Sequence, residues 1–415
     1  MRLLIISDSY PPEVRSAAQL MQELAEGLRA RGHDVTVATT VPAYNLVDGT
    51  NVKDVPREET VNGVRVVRIA TLPHHRVNYI FRGVNQLFLP HIFARAVRKI
   101  LSGPFDKIIV HSPPLPLALA AAKLAKHYRA RFIANIHDIF PQNGIDLVVA
   151  WQKPLIQLFF GPMERHVYRS ADMIVVPSEN HARYLETKRG MPAQKLRVIP
   201  HWINTAPFDS SASLTTGAAP VGNRFRKMWG LEDTFIFFFG GVLGPSQGLE
   251  LVLDAAETFR ANSEVKFLFV GDGTARQSLE RTAREIKLTN VIFKPFVSSG
   301  EYHALVKEMD VGIATLTSKN TTPAVPAKLM GYMAGGIPVV VAVHRESDAI
   351  RIVKEAKCGF AVTSDNREAV IAAFRAAYEA GRASLKTLGE NGYRYVKEYL
   401  SVERAVKEME QILVS

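Results

Sequence analysis

Residues 235–250, FIFFFGGVLGPSQGLE, run from an all-apolar stretch through a glycine-rich turn to the start of a helix. A strand that is apolar at every position is buried on both faces, as in a parallel sheet covered by helices. Glycine lets backbone N–H groups approach a ligand closely, and a helix N-terminus favours negative charge. The stretch therefore predicts an α/β fold with an anion site, suited to a diphosphate, around Gly240, Gly241 and Gly244. A merely tight connection is the alternative.

The same alternation of strands and helices extends towards both ends of the chain. Apolar strands are predicted before the turn at residues 2–6, 34–39, 64–69, 107–111, 132–136 and 173–176, and after it at 265–270, 291–293, 311–316 and 338–343. Helical segments separate these strands. The pattern predicts two Rossmann-like, doubly wound parallel-sheet domains, residues 1–205 and 223–400, joined by a small and polar linker at 206–222.

The composition of the chain restricts its surroundings. The 415 residues include a single cysteine and no run of about 18 apolar residues, the length that a membrane span needs. The apolar start at residues 2–6 ends too early for a signal peptide. We therefore expect a cytoplasmic protein in a reducing compartment, with Cys358 as a structural thiol rather than a nucleophile.

The net charge of +11 raises the question of an anionic partner, but the sequence contains no recognised nucleic-acid module. No acidic residue occurs between Glu59 and Asp106. Basic residues are interleaved there with apolar and aromatic ones: Arg65, Arg68, Arg76, Arg82, Arg95, Arg98 and Lys99 with Tyr79, Phe81, Leu87, Phe88, Leu89, Ile92 and Phe93. This composition suits peripheral contact with an anionic membrane at the inner face of the cell. A core helix with a solvated basic face is the alternative.

Two further segments of the C-terminal half resemble ligand-binding loops. Residues 270–274, VGDGT, end a strand and begin a helix, with Asp272 near the helix start; a tight turn is the simpler interpretation. Residues 321–338, TTPAVPAKLMGYMAGGIP, place Lys328 in the first turns of a helix, where a cation gains nothing from the helix dipole. A bound anion explains a lysine at that position better than solvent does.

Residues 325–340, VPAKLMGYMAGGIPVV, resemble the donor-site segment of the retaining family 4 glycosyltransferases with the GT-B fold. The other matching segments are the turns at 240–250 and 271–273, the hexapeptide IPHWIN at 199–204 and the opening SDSYPPE at 7–13. Residues 137–142, HDIFPQ, are similar to a segment of the bacterial surface-polysaccharide members, the WbuB-like group. The resemblance runs almost from end to end of the chain.

The resemblance implies a GT-B architecture, in which two Rossmann-like domains face each other across a cleft and residues 401–415 pack back on the N-terminal domain. It implies an enzyme of the EC 2.4 type that moves a sugar from a nucleoside-diphosphate sugar to a lipid-linked saccharide or another cell-surface glycan. The family suggests a UDP-sugar as the donor and retention of anomeric configuration. The sugar nucleotide is a co-substrate, and no metal or cofactor is expected. The chain has no Asp-x-Asp pair to hold a cation on a diphosphate.

The match also assigns roles to individual residues. His137 and Lys328 are expected to be catalytic: Lys328 would stabilise charge on the leaving diphosphate, and His137 would contact the sugar or the acceptor. The expected donor-binding residues are Ser16, Gly240, Gly241, Gly244, Gln247, Gly271, Asp272, Phe296, Pro326, Lys328 and Leu329. The expected acceptor-side residues are Asp138, Arg82 and His91.

The chain departs from the family pattern at several positions. Two family glutamates correspond to Pro323 and Gly331, and the second usually binds ribose hydroxyls. An Arg and a Lys of the first turn correspond to Val242 and Gln247, a pair that the polysaccharide group often lacks. Residues 15–17, Arg-Ser-Ala, stand where paired glycines are usual. Two alternatives therefore stay open: a catalytically weak scaffold subunit, which would not bind nucleotide, and a sugar-nucleotide epimerase, which the missing carboxylates disfavour.

Overall fold

The computed structural model describes residues 1–42, 46–47, 50–72, 79–209 and 223–414, apart from the side chains of residues 79–84 and 299. The chain divides into two compact units, residues 1–200 with 402–415, and residues 201–401. The predicted linker starts inside the second unit, and its residues 210–222 lie outside the described residues.

The first unit is built on an eight-stranded sheet. Its strands are β1 (Arg2–Ser7), β2 (Asp34–Thr40), β3 (Glu58–Val61), β4 (Val64–Ile69), β5 (Lys107–Ser112), β6 (Arg131–Ile136), β7 (Met173–Val176) and β8 (Leu196–Val198). Its helices up to that point are α1 (Ser16–Ala30), α2 (Tyr79–Ile100), α3 (Leu115–Tyr128), α4 (Gln142–Leu147), α5 (Lys153–Ser170) and α6 (Glu179–Arg189). The strand order is β3-β4-β2-β1-β5-β6-β7-β8, parallel except for β3 against β4.

The edge strand β3 is an addition to the predicted set of strands. It turns into β4 through Asn62 and Gly63, whose φ angles are both positive, 50° and 77°. Asn-Gly is the preferred pair for such a two-residue hairpin turn, so the sequence did carry this signal. The strand itself begins with Glu58 and Glu59 and therefore looks unlike the apolar strands that define the sheet.

The second unit is built on a six-stranded, parallel sheet. Its elements are α7 (Arg224–Trp229), β9 (Phe235–Gly240), α8 (Glu250–Thr258), β10 (Val265–Val270), α9 (Arg276–Glu285), β11 (Val291–Lys294), α10 (Ser299–Lys307), β12 (Val311–Thr315), α11 (Ala327–Ala334), β13 (Val339–Val343), α12 (Ala349–Ala356), β14 (Gly359–Thr363), α13 (Arg367–Glu379) and α14 (Gly381–Tyr399). The strand order is β11-β10-β9-β12-β13-β14. The edge strand β14 was not predicted.

Phenylalanine side chains fill much of the core of the second unit. Every residue of β9 is buried, as its all-apolar sequence predicts. The ring of Phe237 lies 4.9 Å from that of Phe267 on β10 and 5.1 Å from that of Phe374 on α13 (centroid distances). The stretch quoted first therefore forms a strand in the interior of the sheet, with helices packed over it.

The last helix, α15 (Val402–Val414), belongs to the first unit and packs against α1. The side chain of Val406 occupies the space beside Gly27, where a Cβ would overlap it. Glu410 accepts a hydrogen bond of 2.6 Å from Arg31 and lies 3.2 Å from His33 Nε2. The close approach of the two helices thus depends on the missing side chain at Gly27.

The thiol of Cys358, just before β14, is buried against α14. Burial raises the pKa of this thiol to about 12, so it stays protonated and unreactive at neutral pH. This state agrees with the structural role expected from the sequence. Among the described residues, no helix combines the length and the apolar character needed to cross a bilayer.

Candidate functional site

Three loops of the second unit meet at one edge of its sheet. The strands β10, β9 and β12 are neighbours and run parallel, so their carboxyl ends lie side by side. The loops that follow them are residues 241–249, 271–275 and 316–326. Loops at the carboxyl ends of an open parallel sheet form the usual ligand-binding crevice of this architecture. The three sequence segments predicted to bind a donor therefore lie together.

The first two loops touch along their backbones. Gly241 and Leu243 donate N–H groups to the carbonyls of Val270 and Asp272, each at 2.9 Å. A Cβ on Gly271 would overlap the carbonyl oxygen of Gly241, and one on Gly273 would overlap that of Leu243. Only glycine permits this approach, so the Gly-Asp-Gly turn is required by its contact with the first loop.

The third loop is tied to the first by another backbone contact. Thr317 donates its N–H to the carbonyl of Ser246 at 2.9 Å. Gly248 ends a short 3-10 turn with φ of +61°, and a Cβ there would lie 3.0 Å from the Thr317 nitrogen. Glycine is thus favoured twice at this position, by its backbone conformation and by the close approach of the third loop.

Lys328 is the second residue of α11 and points at the glycine turn. Its Nζ donates to Oε1 of Gln247 at 2.9 Å and lies 4.7 Å from the centre of the Phe239 ring. A Cβ built on Gly241 would lie 3.5 Å from the same Nζ. Burial lowers the pKa of Lys328 to about 8. No carboxylate of the described residues lies within ion-pairing distance of this amine, so a cation without a counter-anion faces the turn.

The N–H groups of the turn divide into two sets. Those of Gly240 and Gly241 are taken by the Tyr332 hydroxyl at 3.0 Å and by the Val270 carbonyl. These two predicted donor residues therefore set the shape of the turn rather than offer N–H groups to a ligand. The N–H groups of Val242 and Gly244 have no acceptor among the described residues. An anion beside Lys328 would find its backbone donors there.

Other predicted donor residues shape this edge of the sheet. The Asp272 carboxylate accepts the N–H of Gly273 at 2.8 Å, and thus stabilises its own turn. Pro326 precedes α11, and its carbonyl accepts the N–H of Leu329, whose side chain is fully buried. Phe296 is half-exposed and follows β11, at the same edge of the sheet.

Tyr332 is a part of the site that the sequence analysis missed. Its hydroxyl accepts the N–H of Gly240 and shares a hydrogen bond with Tyr302 of α10. The ring is fully buried beneath the turn. One signal was available: Tyr332 carries a hydroxyl in the middle of an otherwise apolar helix segment, and a buried tyrosine hydroxyl usually has a hydrogen-bond partner.

The first unit brings a second group of predicted residues to the carboxyl ends of β5 and β6. His137 is buried, follows β6 and donates its backbone N–H to the carbonyl of Ser112 at 2.8 Å. Its ring lies 4.4 Å from the ring of His111, a residue of β5 that the sequence analysis passed over. Burial raises the pKa of the neighbouring Asp138. The two histidine rings lie together, and Asp138 is the next residue in the chain.

The start of α1 also lies at this edge of the first unit. Ser16 is exposed and is the first residue of the helix, which has no acidic residue in its first turn. Arg15, just before it, forms a 2.8 Å ion pair with Asp8 and lies 3.7 Å from Glu13. These two buried carboxylates neutralise the arginine, so Arg15 holds the loop rather than serving as a free cation.

No described contact places the predicted acceptor residues Arg82 and His91 beside His137. The side chain of Arg82 lies outside the described residues. His91 lies midway along the exposed face of α2 and contacts Lys123 of α3 at 3.1 Å. Lys123 is eight residues beyond the start of α3, roughly 12 Å along the helix from the end of β5. Within the described part of the chain, no three His, Cys, Asp or Glu residues are grouped as metal ligands.

Comparisons with known proteins cover both units. A model described as "Glycosyl transferase 4-like domain" matches residues 17–202, and one described as "Glycosyl transferases group 1" matches residues 223–395. The putative colanic acid biosynthesis glycosyl transferase WcaI of Escherichia coli K12 is 26% identical over 355 residues, which are 82% of this chain and 83% of WcaI.

Solved structures resemble the chain over its whole length. A sucrose-phosphate synthase from Thermosynechococcus elongatus aligns with a TM-score of 0.74 and 17% identity, over 99% of this chain and 98% of its own. HepE from Anabaena, solved in complex with UDP-glucose, aligns with a TM-score of 0.70 and 17% identity, over 100% of this chain and 99% of its own.

The two parallel-sheet units therefore have the GT-B fold, the class to which these solved structures belong. The chain itself is a glycosyltransferase that uses sugar-nucleotide donors, with a 4-like domain followed by a group 1 domain. The expectation of a glycosyltransferase enzyme is thus confirmed at the level of enzyme class.

We expect Tyr332→Phe to lower the free energy of unfolding by about 1–3 kcal/mol, because the buried N–H of Gly240 loses its acceptor. The matched control is Tyr302→Phe, which removes a hydroxyl from the same pair but leaves the acceptor of Gly240 in place. Denaturant titration of both variants measures the difference. Equal stabilities of Tyr332→Phe and Tyr302→Phe would mean that the contact with Gly240 contributes little.

Proposed function

We propose that the chain transfers a sugar from a UDP-sugar to a lipid-linked saccharide or another cell-surface glycan, with retention of anomeric configuration. The donor is held by the second unit and the acceptor by the first. One observation carries the donor part: Lys328, without a carboxylate partner, faces a glycine turn whose Val242 and Gly244 N–H groups lack protein acceptors. A diphosphate supplies the missing negative charge and the missing acceptors together.

The same group of donors acts on the leaving diphosphate. As the bond between the sugar and the diphosphate breaks, negative charge grows on the diphosphate oxygens. Preorganised donors at that position lower the barrier because they need no reorganisation when the charge develops. The Lys328 amine is held by Gln247 and by the Phe239 ring, so its position is set before the donor binds. We assign Lys328 the role of stabilising the leaving group, with no metal required.

Two observations support uridine as the base: the ligand of a solved structure with the same fold, and the position of Phe296 at the carboxyl edge of the second sheet. HepE, a structure of the same fold, was solved with UDP-glucose. In this chain the half-exposed Phe296 follows β11 at the same edge as the glycine turn, and its loop would contact the base. The acceptor class is supported by the colanic acid biosynthesis named for WcaI, and by the segment at 137–142 that resembles the WbuB-like group.

We assign the acceptor to the group around His137. The rings of His111 and His137 lie side by side, and Asp138 follows at once in the chain. An acceptor hydroxyl must lose a proton as it attacks the sugar, and imidazole or carboxyl groups at this position can receive it. His91 lies too far along α2 to share that role, so we restrict the acceptor-side proposal to His137, His111 and Asp138.

Calorimetric titration with UDP, GDP and dTDP, without added metal, tests the donor site. We expect UDP to bind with a micromolar Kd, and Lys328→Ala to weaken binding at least about tenfold, since a charge-assisted contact is lost. The same variant should abolish sugar transfer. Lys354→Ala, which removes an exposed lysine from α12 of the same unit, is the control and should bind UDP normally.

The outcomes of this titration separate the parts of the proposal. Preference for GDP or dTDP would correct the base and leave the site in place. Normal binding by Lys328→Ala would remove the lysine from the donor site. Failure of all three nucleotides to bind wild-type protein would contradict the donor site as a whole.

Gly331 offers a second test, because the family carboxylate that binds ribose is absent there. A Cβ at Gly331 meets no atom within 4 Å beyond its chain neighbours and its own helix backbone, so the first side-chain atom fits there. We expect Gly331→Glu to tighten UDP binding by about tenfold through bonds from the ribose hydroxyls to the new carboxylate. Gly331→Gln, of equal size without the charge, should gain less. An unchanged or weaker Kd in Gly331→Glu would show that the ribose lies elsewhere.

A further inference from the structure

A row of exposed apolar side chains covers part of the first unit. It begins at the end of α4, continues through residues 148–152 and extends along the first half of α5. The exposed fraction of the residue is 57% at Val149, 66% at Trp151, 67% at Leu158 and 54% at Phe159. Leu147 and Leu155 are also exposed. We call these six residues the 147–159 surface. So many large apolar side chains in one stretch usually mark an interaction site.

The 147–159 surface is not needed for the core of the unit. The opposite side of α5 supplies the core contacts: Val167 and Tyr168 are buried, and Phe160 packs against Phe140 with ring centres 5.0 Å apart. The helix therefore has two apolar sides, of which one packs on the unit and the other faces out. Leu155 and Phe159, four residues apart, lie on the outward side.

The charges around this surface are positive. No acidic residue occurs from 147 to 163. The two acids that flank the stretch are engaged within the unit: Asp146 accepts a hydrogen bond from Gln142, and the buried Glu164 pairs with Arg189 at 2.8 Å. Lys153, Arg165 and His166 of α5 are exposed.

A basic pocket continues the same side of α5. His166 lies seven residues, or two helical turns, beyond Phe159 and therefore on the same side of α5. It lines a cavity of about 650 Å³ together with Lys123, Lys126 and Arg129 at the end of α3. Asp172 also lines it, and its carboxylate accepts the backbone N–H of Phe132 at 2.7 Å. An apolar surface thus adjoins a cavity with several cationic groups.

We propose that the 147–159 surface docks the first unit on an anionic phospholipid bilayer. Trp151, Leu158 and Phe159 enter the headgroup region, and the basic pocket at the end of α3 faces lipid phosphates. Apolar side chains with tryptophan among them, surrounded by cations, match the two components of such an interface. A second copy of the chain is a poorer occupant, because two positively charged surroundings would then meet face to face.

The position of this surface differs from the one expected from the sequence, which lay within residues 59–106. In that stretch Leu89 and Phe93 of α2 are buried in the core, and Arg68 is buried with its guanidinium on the carboxylate of Glu59. Three large apolar residues of α2 whose side chains are described remain exposed: Leu87, Phe88 and Ile100. The proposed membrane contact thus lies on α4 and α5, outside residues 59–106.

Vesicle sedimentation of the full chain tests this proposal. The vesicles contain phosphatidylcholine with phosphatidylglycerol, and neither donor nor acceptor is present, so the outcome does not depend on sugar transfer. We expect the wild-type chain to bind, and the triple variant Trp151→Ser, Leu158→Ser, Phe159→Ser to lose about a hundredfold in partition coefficient. The control Leu87→Ser, Phe88→Ser on α2 should bind like the wild type. Unchanged circular dichroism and denaturant unfolding of both variants verify their folding.

A charge variant and the remaining outcomes complete the test. Lys126→Ser, Arg129→Ser should lose about tenfold at low salt and less at high salt, because exposed charges are screened. Absence of wild-type binding would overturn the proposal, as would full binding by the triple variant. Loss of binding in the α2 control alone would return the membrane contact to α2. Wild-type dimers that the triple variant abolishes, without vesicle binding, would assign the surface to a second copy.

Discussion

The backbone contact between the turns after β9 and β10 is the constraint on which the proposed donor site depends. The Gly241 carbonyl lies where a side chain of residue 271 would be, and the Leu243 carbonyl where one of residue 273 would be. Because both side chains are absent, backbone hydrogen bonds join the two turns. The turn after β10 thereby holds the turn after β9 in place. Tyr332 then fixes Gly240 from the helix side. A turn held at these points presents its free N–H groups in a set direction.

Lys328 faces this rigid turn. A half-buried amine without a carboxylate partner is unfavourable in the empty protein, and the lowered pKa of Lys328 expresses that cost. In the proposed function, a bound diphosphate would offset this cost. In the proposed donor site, position 331 lacks the carboxylate that the family resemblance assigns to the ribose, while Lys328 and the N–H groups of Val242 and Gly244 are unaffected. An active transferase is therefore compatible with the departures that the sequence shows.

The sequence predicted those parts of the structure that depend on local composition. The all-apolar strand at 235–239, the glycine turns and Lys328 at a helix start follow from backbone geometry and charge, which neighbouring residues determine. The contact of Tyr332 with Gly240 joins residues 92 positions apart, so no local pattern could reveal it. The division of α2 and α5 into buried and exposed sides was likewise hidden, because both helices carry apolar residues all around. The position of His91 relative to β5 was hidden as well, because it depends on helix packing.

Hydrogen–deuterium exchange of the full chain, with and without saturating UDP, tests the central claim most directly. We predict slower exchange on binding in the peptides that cover residues 240–250, where the N–H groups of Val242 and Gly244 gain an acceptor. We also predict it in those that cover 326–330, where Lys328 contacts the bound diphosphate. Lys328→Ala at the same UDP concentration should show little of this protection. Protection confined to other segments of the second unit, or found only in the first unit, would contradict the assignment of the donor site.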